Sequence, residues 1–338
     1  MLIVFNSIVL SLFNVIYSIN YSKMKNITNE VVIVAAARTP IGSYNGSLKS
    51  IKADQLGSIV INELINRTNF KKEDVDEVIF GQVLTAGAGQ NPARQAAVNA
   101  NIPTSKPAYI VNQVCGSGLR AVINGYQSIK LGEVKTVICG GQENMSIAPH
   151  SIFYRDKKKI STDQLLDTMI YDGLLDAFDN YHMGVTAENI AKLYEITRDE
   201  QDIFALNSQK KAEAAVKNRK FDEEIVGINE NQICFLKDEH PRFNLELSDL
   251  SKLKPVFKDN GTVTPGNSSG INDGAAALML TSKEEAEIKS IKPLAKVVSW
   301  ASVGVKPSLM GLGPIDAVNL AVKRANWKLD DVDLFEIN

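Results

Sequence analysis

The chain is poor in the residues from which disulfide scaffolds and metal centres are built. Its 338 residues include three cysteines and three histidines. Cys115, Cys139 and Cys234 stand far apart and form no Cys-x-x-Cys pair. That spacing argues against a disulfide framework or a zinc knot and fits a reducing, cytoplasmic compartment. Neither sign of charge dominates: 37 Lys and Arg against 39 Asp and Glu leave a net charge of −2. No global field therefore points to nucleic acid or to an anionic membrane as partner. An uninterrupted apolar run of membrane-spanning length is missing too. The opening stretch MLIVFNSIVLSLFNVIYSINYSK is broken by Asn6, Ser7, Ser11 and Asn14. It has no basic n-region and no small-residue cleavage site, so neither a spanning helix nor a secretory signal is expected. Met24 opens MKNITNEVVIVAAARTP, an ordinary start for a soluble α/β enzyme. We expect Met24 to be the native start and residues 1–23 to be upstream sequence read in error, with a membrane anchor as the alternative; the segment ahead of the fold, 1–26, is set apart as a non-native leader.

What the chain does contain is an alternation of strands and helices. The run EVVIVAAART at 30–39 has the continuous apolar character of a buried strand. In ADQLGSIVINELINRTN, the spacing of Leu56, Ile59, Ile61, Leu64 and Ile65 predicts one apolar face of a helix. DVDEVIFGQVL reads as a strand, NPARQAAVNANI as a helix, AYIVNQV as a strand, GSGLRAVINGYQSIKLGE as a helix and TVICGG as a strand. Such an order implies helices packed on a sheet. Residues 147–270 break the rhythm, with more charge and two helical stretches at 184–195 and 198–218, and read as an inserted lobe. GAAALMLTS at 274–282 then returns as an apolar strand to the first sheet.

After Lys292 the opening order begins again: PLAKVVSWASVG as a strand, a helix from GPIDAVNLAVKRANW, and a strand in LDDVDLFEIN. The last segment shares Asp-Val-Asp with KEDVDEVIFG at 72–81. The expected fold is therefore α/β with duplicated βαβαβ halves. Residues 27–146 and 271–291 form the first half, 147–270 the inserted substrate-binding lobe, and 292–338 an incomplete second half. By this internal yardstick the C-terminus is truncated.

The stretch VNQVCGSGLR at 111–120 raises the question of chemistry. A strand, a cysteine, Gly116-Ser117-Gly118 and a helix would put the Cys115 sulfur at a helix N-terminus, where the thiolate is favoured. Two readings are open from the local pattern: a small buried hydrophobe at a strand end, or a nucleophile on a strand–turn–helix corner. Cys139 lies inside an apolar strand, and Cys234 has no cationic or helix-terminal neighbour in sequence; both read as structural.

Several segments carry a resemblance that decides between the two. VNQVCGSGLRA, GGQENMS at 140–146, HMGVTAEN at 182–189, DEHPR at 238–242, GTVTPGNSSGINDGAAA at 261–277 and SWASVGVKP at 299–307 are similar, in order, to segments of the thiolases. The similarity runs from about residue 28 to the last residue and is nearest to the short-chain, acetoacetyl-CoA type. It implies a thiolase-like fold and an acyltransferase that condenses two acetyl-CoA to acetoacetyl-CoA and CoA, or runs in reverse. Cys115 would be the acyl-accepting nucleophile. Asn338 matches the first residue of an Asn-Glu-Ala-Phe motif that positions an oxyanion-hole water. A histidine in a Gly-His-Pro segment and a second cysteine in a Cys-x-Gly segment would follow, and neither stands after Asn338 here. His150 and His240 read as surface imidazoles and are not replacements.

The resemblance further implies that His182 lines the acyl and pantetheine pocket, with Met183 either beside it or in the core. Leu174, Phe257 and Met310 would be apolar contacts along the CoA tunnel. Arg242 would pack near the adenine end, and Ser269 and Gly270 would form the turn that meets the pantetheine. Two departures are Pro265, which removes a backbone donor beside the tunnel, and Gln209, where potassium-responsive relatives carry tyrosine. We therefore expect no bound metal or potassium and no permanently bound cofactor. The expected partners are acetyl-CoA, acetoacetyl-CoA and further copies of the chain in a dimer or tetramer, with GAGQNPARQ at 87–95 near the dimer contact. A broader-range 3-ketoacyl-CoA thiolase, another condensing enzyme and a non-catalytic CoA-binding fragment are the alternatives. Little thiolysis is expected from residues 1–338 alone.

Overall fold

A computed structural model describes residues 30–155, 161–230 and 233–337. The expected leader at 1–26 and Asn338 lie outside the described residues. The principal strands and helices are β1 (Val31–Arg38), α1 (Ala53–Asn66), β2 (Glu77–Gly81), α2 (Pro92–Asn99), β3 (Ala108–Val111), α3 (Ser117–Lys130) and β4 (Thr136–Asn144) in the first half. The lobe carries α4 (Met183–Leu193), α5 (Arg198–Lys217) and the hairpin strands β5 (Ile228–Glu230) and β6 (Ile233–Phe235). After it come β7 (Asn272–Ser282), α6 (Lys283–Ile288), β8 (Ala295–Lys296) and α7 (Gly313–Arg324).

The main sheet has the order β8-β1-β7-β4-β2-β3. The apolar strand expected to return after the lobe does so in the middle. β7 runs antiparallel to β1 on one side, with Val31 opposite Ser282, and antiparallel to β4 on the other, with Cys139 opposite Leu278. β2 is parallel to both β3 and β4, as the βαβ connections require.

Both faces of this sheet are covered, which is why its strands read as unbroken apolar runs. Alternate residues feed opposite cores. Val78, Phe80, Ile138 and Met279 meet Leu56, Val60, Ile61 and Leu64 of α1, with α2 beside it. Ile79, Val137, Cys139 and Leu280 meet Ala121 and Ile129 of α3. Gly81 is what lets α3 sit so close, because a Cβ there would run into the backbone of Ser117.

The second half departs from the strand–helix–strand order. Only Ala295–Lys296 forms a strand, and it joins the edge of the first sheet against Val32 and Ile33. Residues 297–306 have no regular structure. They are pinned by Trp300 against Tyr126 of α3 (ring centroids 5.0 Å apart) and by Ser299 Oγ donating to Ala321 O of α7 at 2.6 Å. The expected strand in LDDVDLFEIN is instead a 3₁₀ turn at Leu329–Asp331 followed by irregular chain. A strand needs a neighbour to take its N–H and C=O groups, and among the described residues none lies beside 332–337. Leu334 and Phe335 are exposed there. Among the described residues no helix is long and apolar enough to cross a membrane.

Candidate active site

Cys115 lies on an exposed corner between β3 and α3. The residue before it, Val114, has φ +47°. A β-branched residue in the left-handed region costs about 1–3 kcal/mol and persists only where neighbours over-determine it. They do so here. Asn112 Oδ1 accepts the Val114 N–H at 2.9 Å. The buried Ser117 hydroxyl accepts the Gln113 N–H at 2.8 Å and donates to Val114 O at 2.5 Å. The Gly116 and Ser117 amides close the turn onto Gln113 O and Val114 O. The corner aims the cysteine outward from the end of the sheet, with the first turn of α3 two residues further on.

The other two cysteines differ from this and from each other. Cys139 is fully buried in β4, and burial pushes its thiol far above the ordinary value. Cys139-Gly140-Gly141 does have the Cys-x-Gly spacing. A thiol held protonated inside the sheet cannot serve as a base. Cys234, expected to be structural, is exposed on the β5–β6 hairpin. A two-stranded ribbon has a solvent face of its own, and Cys234 lies on it.

The residues expected around His182 come from four separate segments. His182 is the N-cap of α4, and its Nδ1 accepts the Gly184 N–H at 3.0 Å. That bond leaves the ring proton on Nε2. The imidazole stacks on Phe257 at 4.6 Å with 19° between the planes. Gly184 makes the contact possible, since a Cβ there would overlap the Phe257 ring. Burial lowers the His182 pKa from its ordinary value, so the ring is neutral at neutral pH. Leu174 ends a π-helical turn at Met169–Leu174, and the next residue, Leu175, bridges to His182. Met183 is the first residue of α4 and is half-buried. Met310 lies on the turn Pro307–Leu312, held to α4 by Asn189 Nδ2 donating to Ser308 O at 3.1 Å. Phe257 and the Leu174–Leu175 segment thus meet the His182 end of α4, whereas the Met310 turn is held further along the helix at Asn189.

The Ser269–Gly270 turn is positioned by groups that sequence reasoning missed. Glu188 on α4 is buried, and its carboxylate accepts from the Thr262 N–H, the Thr262 hydroxyl and the Val263 N–H at 2.8–3.0 Å. Asn267 ties Thr262 O to the buried Asp202 of α5 at 2.9 Å, and Asp202 is paired with Arg198 at 2.8 Å. Ser269 itself is exposed. Gly270 packs on the His240 ring so tightly that a Cβ would collide with it. His240, expected at the surface, is half-buried against this turn. DEHPR is a staple: Asp238 holds Arg38 and the Ile41 N–H, Glu239 holds the Ser43 N–H, and the Arg242 N–H donates to Gln209 Oε1 at 2.9 Å. The Arg242 side chain is exposed.

The geometry defines an α/β protein with an exposed cysteine on a strained strand–helix corner and a lobe in which His182 and Phe257 stack. Residues 31–284 match the thiolase N-terminal domain and residues 291–338 the thiolase C-terminal domain. The chain belongs to the thiolase family. It is 51% identical over 321 residues to the cytosolic acetyl-CoA acetyltransferase of Rattus norvegicus, covering 92% of this chain and 80% of that one. It is 49% identical over 311 residues to the acetyl-CoA acetyltransferase of Shinella zoogloeoides, covering 91% and 79%. The crystal structure of the Bacillus anthracis acetyl-CoA acetyltransferase superposes with a TM-score of 0.87 at 38% identity, over 90% of this chain and 79% of that one.

Proposed function

We propose that the chain is an acetyl-CoA C-acetyltransferase that carries the acetyl group on Cys115. The observation that supports this most is the exposed Cys115 behind left-handed Val114, in a thiolase whose relatives bear that name. In the first half-reaction the Cys115 sulfur bonds to the thioester carbonyl carbon. The carbon–sulfur bond to CoA breaks, and CoA leaves with the thiol proton. Under this assignment the Cys115 N–H, next to the first turn of α3, serves as one donor to the developing oxyanion. In this reading His182 offers its Nε2–H within the acyl pocket, and Leu174, Met183, Phe257 and Met310 exclude water from the pantetheine arm. Ser269 and Gly270 meet its amide, and Arg242 meets the adenine end. The second half-reaction needs a base to form the enolate of a second acetyl-CoA. Asn338 takes the water-positioning role in this reading.

The test reads the first half-reaction. Purified chain incubated with acetyl-CoA should gain one acetyl group, mapped by peptide mass spectrometry to Cys115, and C115A should gain none. Absence of an adduct from the wild-type chain would refute the assignment. The same reading includes a homo-oligomer in the cytoplasm and substrates limited to short acyl-CoA thioesters. Light scattering on eluted protein checks the first, and competition by long-chain acyl-CoA checks the last.

A further inference from the structure

The nucleophile corner is tied to a distant segment by one guanidinium. Arg120 is on the first turn of α3 and half-buried. Its Nε donates to Gln113 Oε1 at 2.7 Å and its Nη2 donates to Ser302 Oγ at 2.7 Å. Gln113 is no bystander in the corner. Its carbonyl accepts the Gly116 N–H, its own N–H is held by Ser117, and it bridges to Cys115. Ser302 is 182 residues away in sequence, in the irregular stretch 297–306. That stretch leads within six residues to Ser308, whose carbonyl is held by Asn189 of α4. Arg120 therefore stands where the corner carrying Cys115 meets the chain that carries Met310.

We propose that Arg120 is a positioning residue that couples the docking of residues 299–312 to the geometry of Cys115. The proposal rests on Cys115 being the nucleophile, but only for its catalytic consequence. The physical logic is that Val114 is held in a conformation it would leave if it could. Asn112 and Ser117 fix the corner from within, and both lie on the corner itself, so they can move with it. Arg120 adds an attachment to a separate part of the fold. A planar guanidinium with donors in fixed directions can hold two acceptors at once, which an ammonium cannot reproduce in the same geometry. With the 299–312 segment seated, the corner is fixed from outside. With it unseated, Gln113 loses its anchor and Val114 is free to relax.

The experiment is amide hydrogen exchange on the full chain, comparing wild type with R120A, R120K and S302A. Ser302 is exposed, so S302A removes the far acceptor without cutting into a core and keeps the test valid if R120A fails to fold. In both alanine variants the Gly116 and Ser117 amides should exchange about 5-fold faster, the equivalent of one lost hydrogen bond, with β4 and β7 unchanged. R120K should recover part of the protection. Single-turnover acetylation of Cys115 should slow about 10-fold at saturating acetyl-CoA, with half-saturation unchanged. Unchanged exchange at 112–117 in S302A, or acceleration spread evenly through the sheet, would overturn the coupling. If wild-type Cys115 takes no acetyl group, the nucleophile assignment fails while the exchange result still decides the clamp.

Discussion

The imidazole of His182 lies on the ring of Phe257, 4.6 Å away and 19° from parallel, although the two residues are far apart in the chain. The stack depends on Gly184, whose missing side chain leaves room for the Phe257 ring. It also depends on the Val256 N–H donating to Val263 O at 3.2 Å, which joins the Phe257 segment to the turn that carries Ser269. One ring pair thus joins the N-terminus of α4 to the segment that leads into the Ser269–Gly270 turn.

Replacing Phe257 with alanine should raise KM for acetyl-CoA several-fold. A stacked aromatic pair is worth about 0.5–1.5 kcal/mol beyond the area it buries. G184A should act in the same direction by driving the ring from its seat. Steady-state kinetics on both variants check this, and an unchanged KM in F257A would remove Phe257 from the pocket.

The stack also sets a pH dependence. The unfolded chain protonates His182 near its ordinary value of 6.5, whereas burial holds the folded ring neutral to lower pH. In that window the unfolded state binds more protons, so stability falls as pH falls. The contribution is whole above 6.5 and is lost progressively below it, down to the folded value. Urea denaturation between pH 7.5 and 5 should show this slope, and H182Q should flatten it.

Thiol reagents should distinguish the three cysteines sharply. Cys115 and Cys234 are exposed and should be alkylated by iodoacetamide at pH 7.5 in the native state. Cys139, buried and with its thiol held protonated, should react only after unfolding. Peptide mapping before and after guanidinium checks all three. Native labelling of Cys139 would show that α3 does not sit on the sheet as described.

V114G should stabilise the fold by about 1 kcal/mol, because glycine occupies the left-handed region without the steric cost that valine bears. Little packing is lost, since Val114 is 46% exposed. Acetylation of Cys115 should slow in the same variant, as the corner gains conformations. Thermal unfolding and single-turnover labelling on the same preparation separate the two effects.

Loss of the Glu188 carboxylate should cost about 1.5–3 kcal/mol or more, the worth of hydrogen bonds to a charged group. E188A leaves the Thr262 and Val263 amides without their acceptor and should loosen the Ser269–Gly270 turn. E188Q should recover part of the loss, because one amide oxygen can still accept. Denaturant midpoints rank the three proteins, and KM for acetyl-CoA should follow the same order.

Elements whose partners share a periodicity could be read directly from the chain. The α1 stripe from Leu56 to Ile65 and the alternating sides of VIF at 78–80 are set by geometry local to one segment, and both packed as the spacing requires. The cysteine corner was legible as a strand–turn–helix pattern, but its strain was not, since no residue type announces φ +47° at a valine. Glu188 is 74 residues from the amides it holds, and Asp202 is 65 from Asn267. Each looks like a solvated helix charge until the fold brings its partner to it. The segment 332–337 failed in the opposite way: its pattern suits a strand, but a strand is a property of two chains of backbone and not of one.

The central place of β7 governs when this protein can take shape. β1 and β4 are never neighbours; β7, which begins at Asn272, lies between them and pairs with both. On the ribosome, the strand that opens the sheet must therefore wait for more than two hundred residues of synthesis before its companion emerges. Until then β1 has no β7 to pair with, and its apolar face is open to other chains. The lobe, though inserted, has to compact first so that β7 can be delivered to the gap. Pairings across such sequence separations are slow to form and expose unpaired edges meanwhile. The strand order thus delays completion of the sheet until synthesis has passed β7, ahead of any chemistry at Cys115.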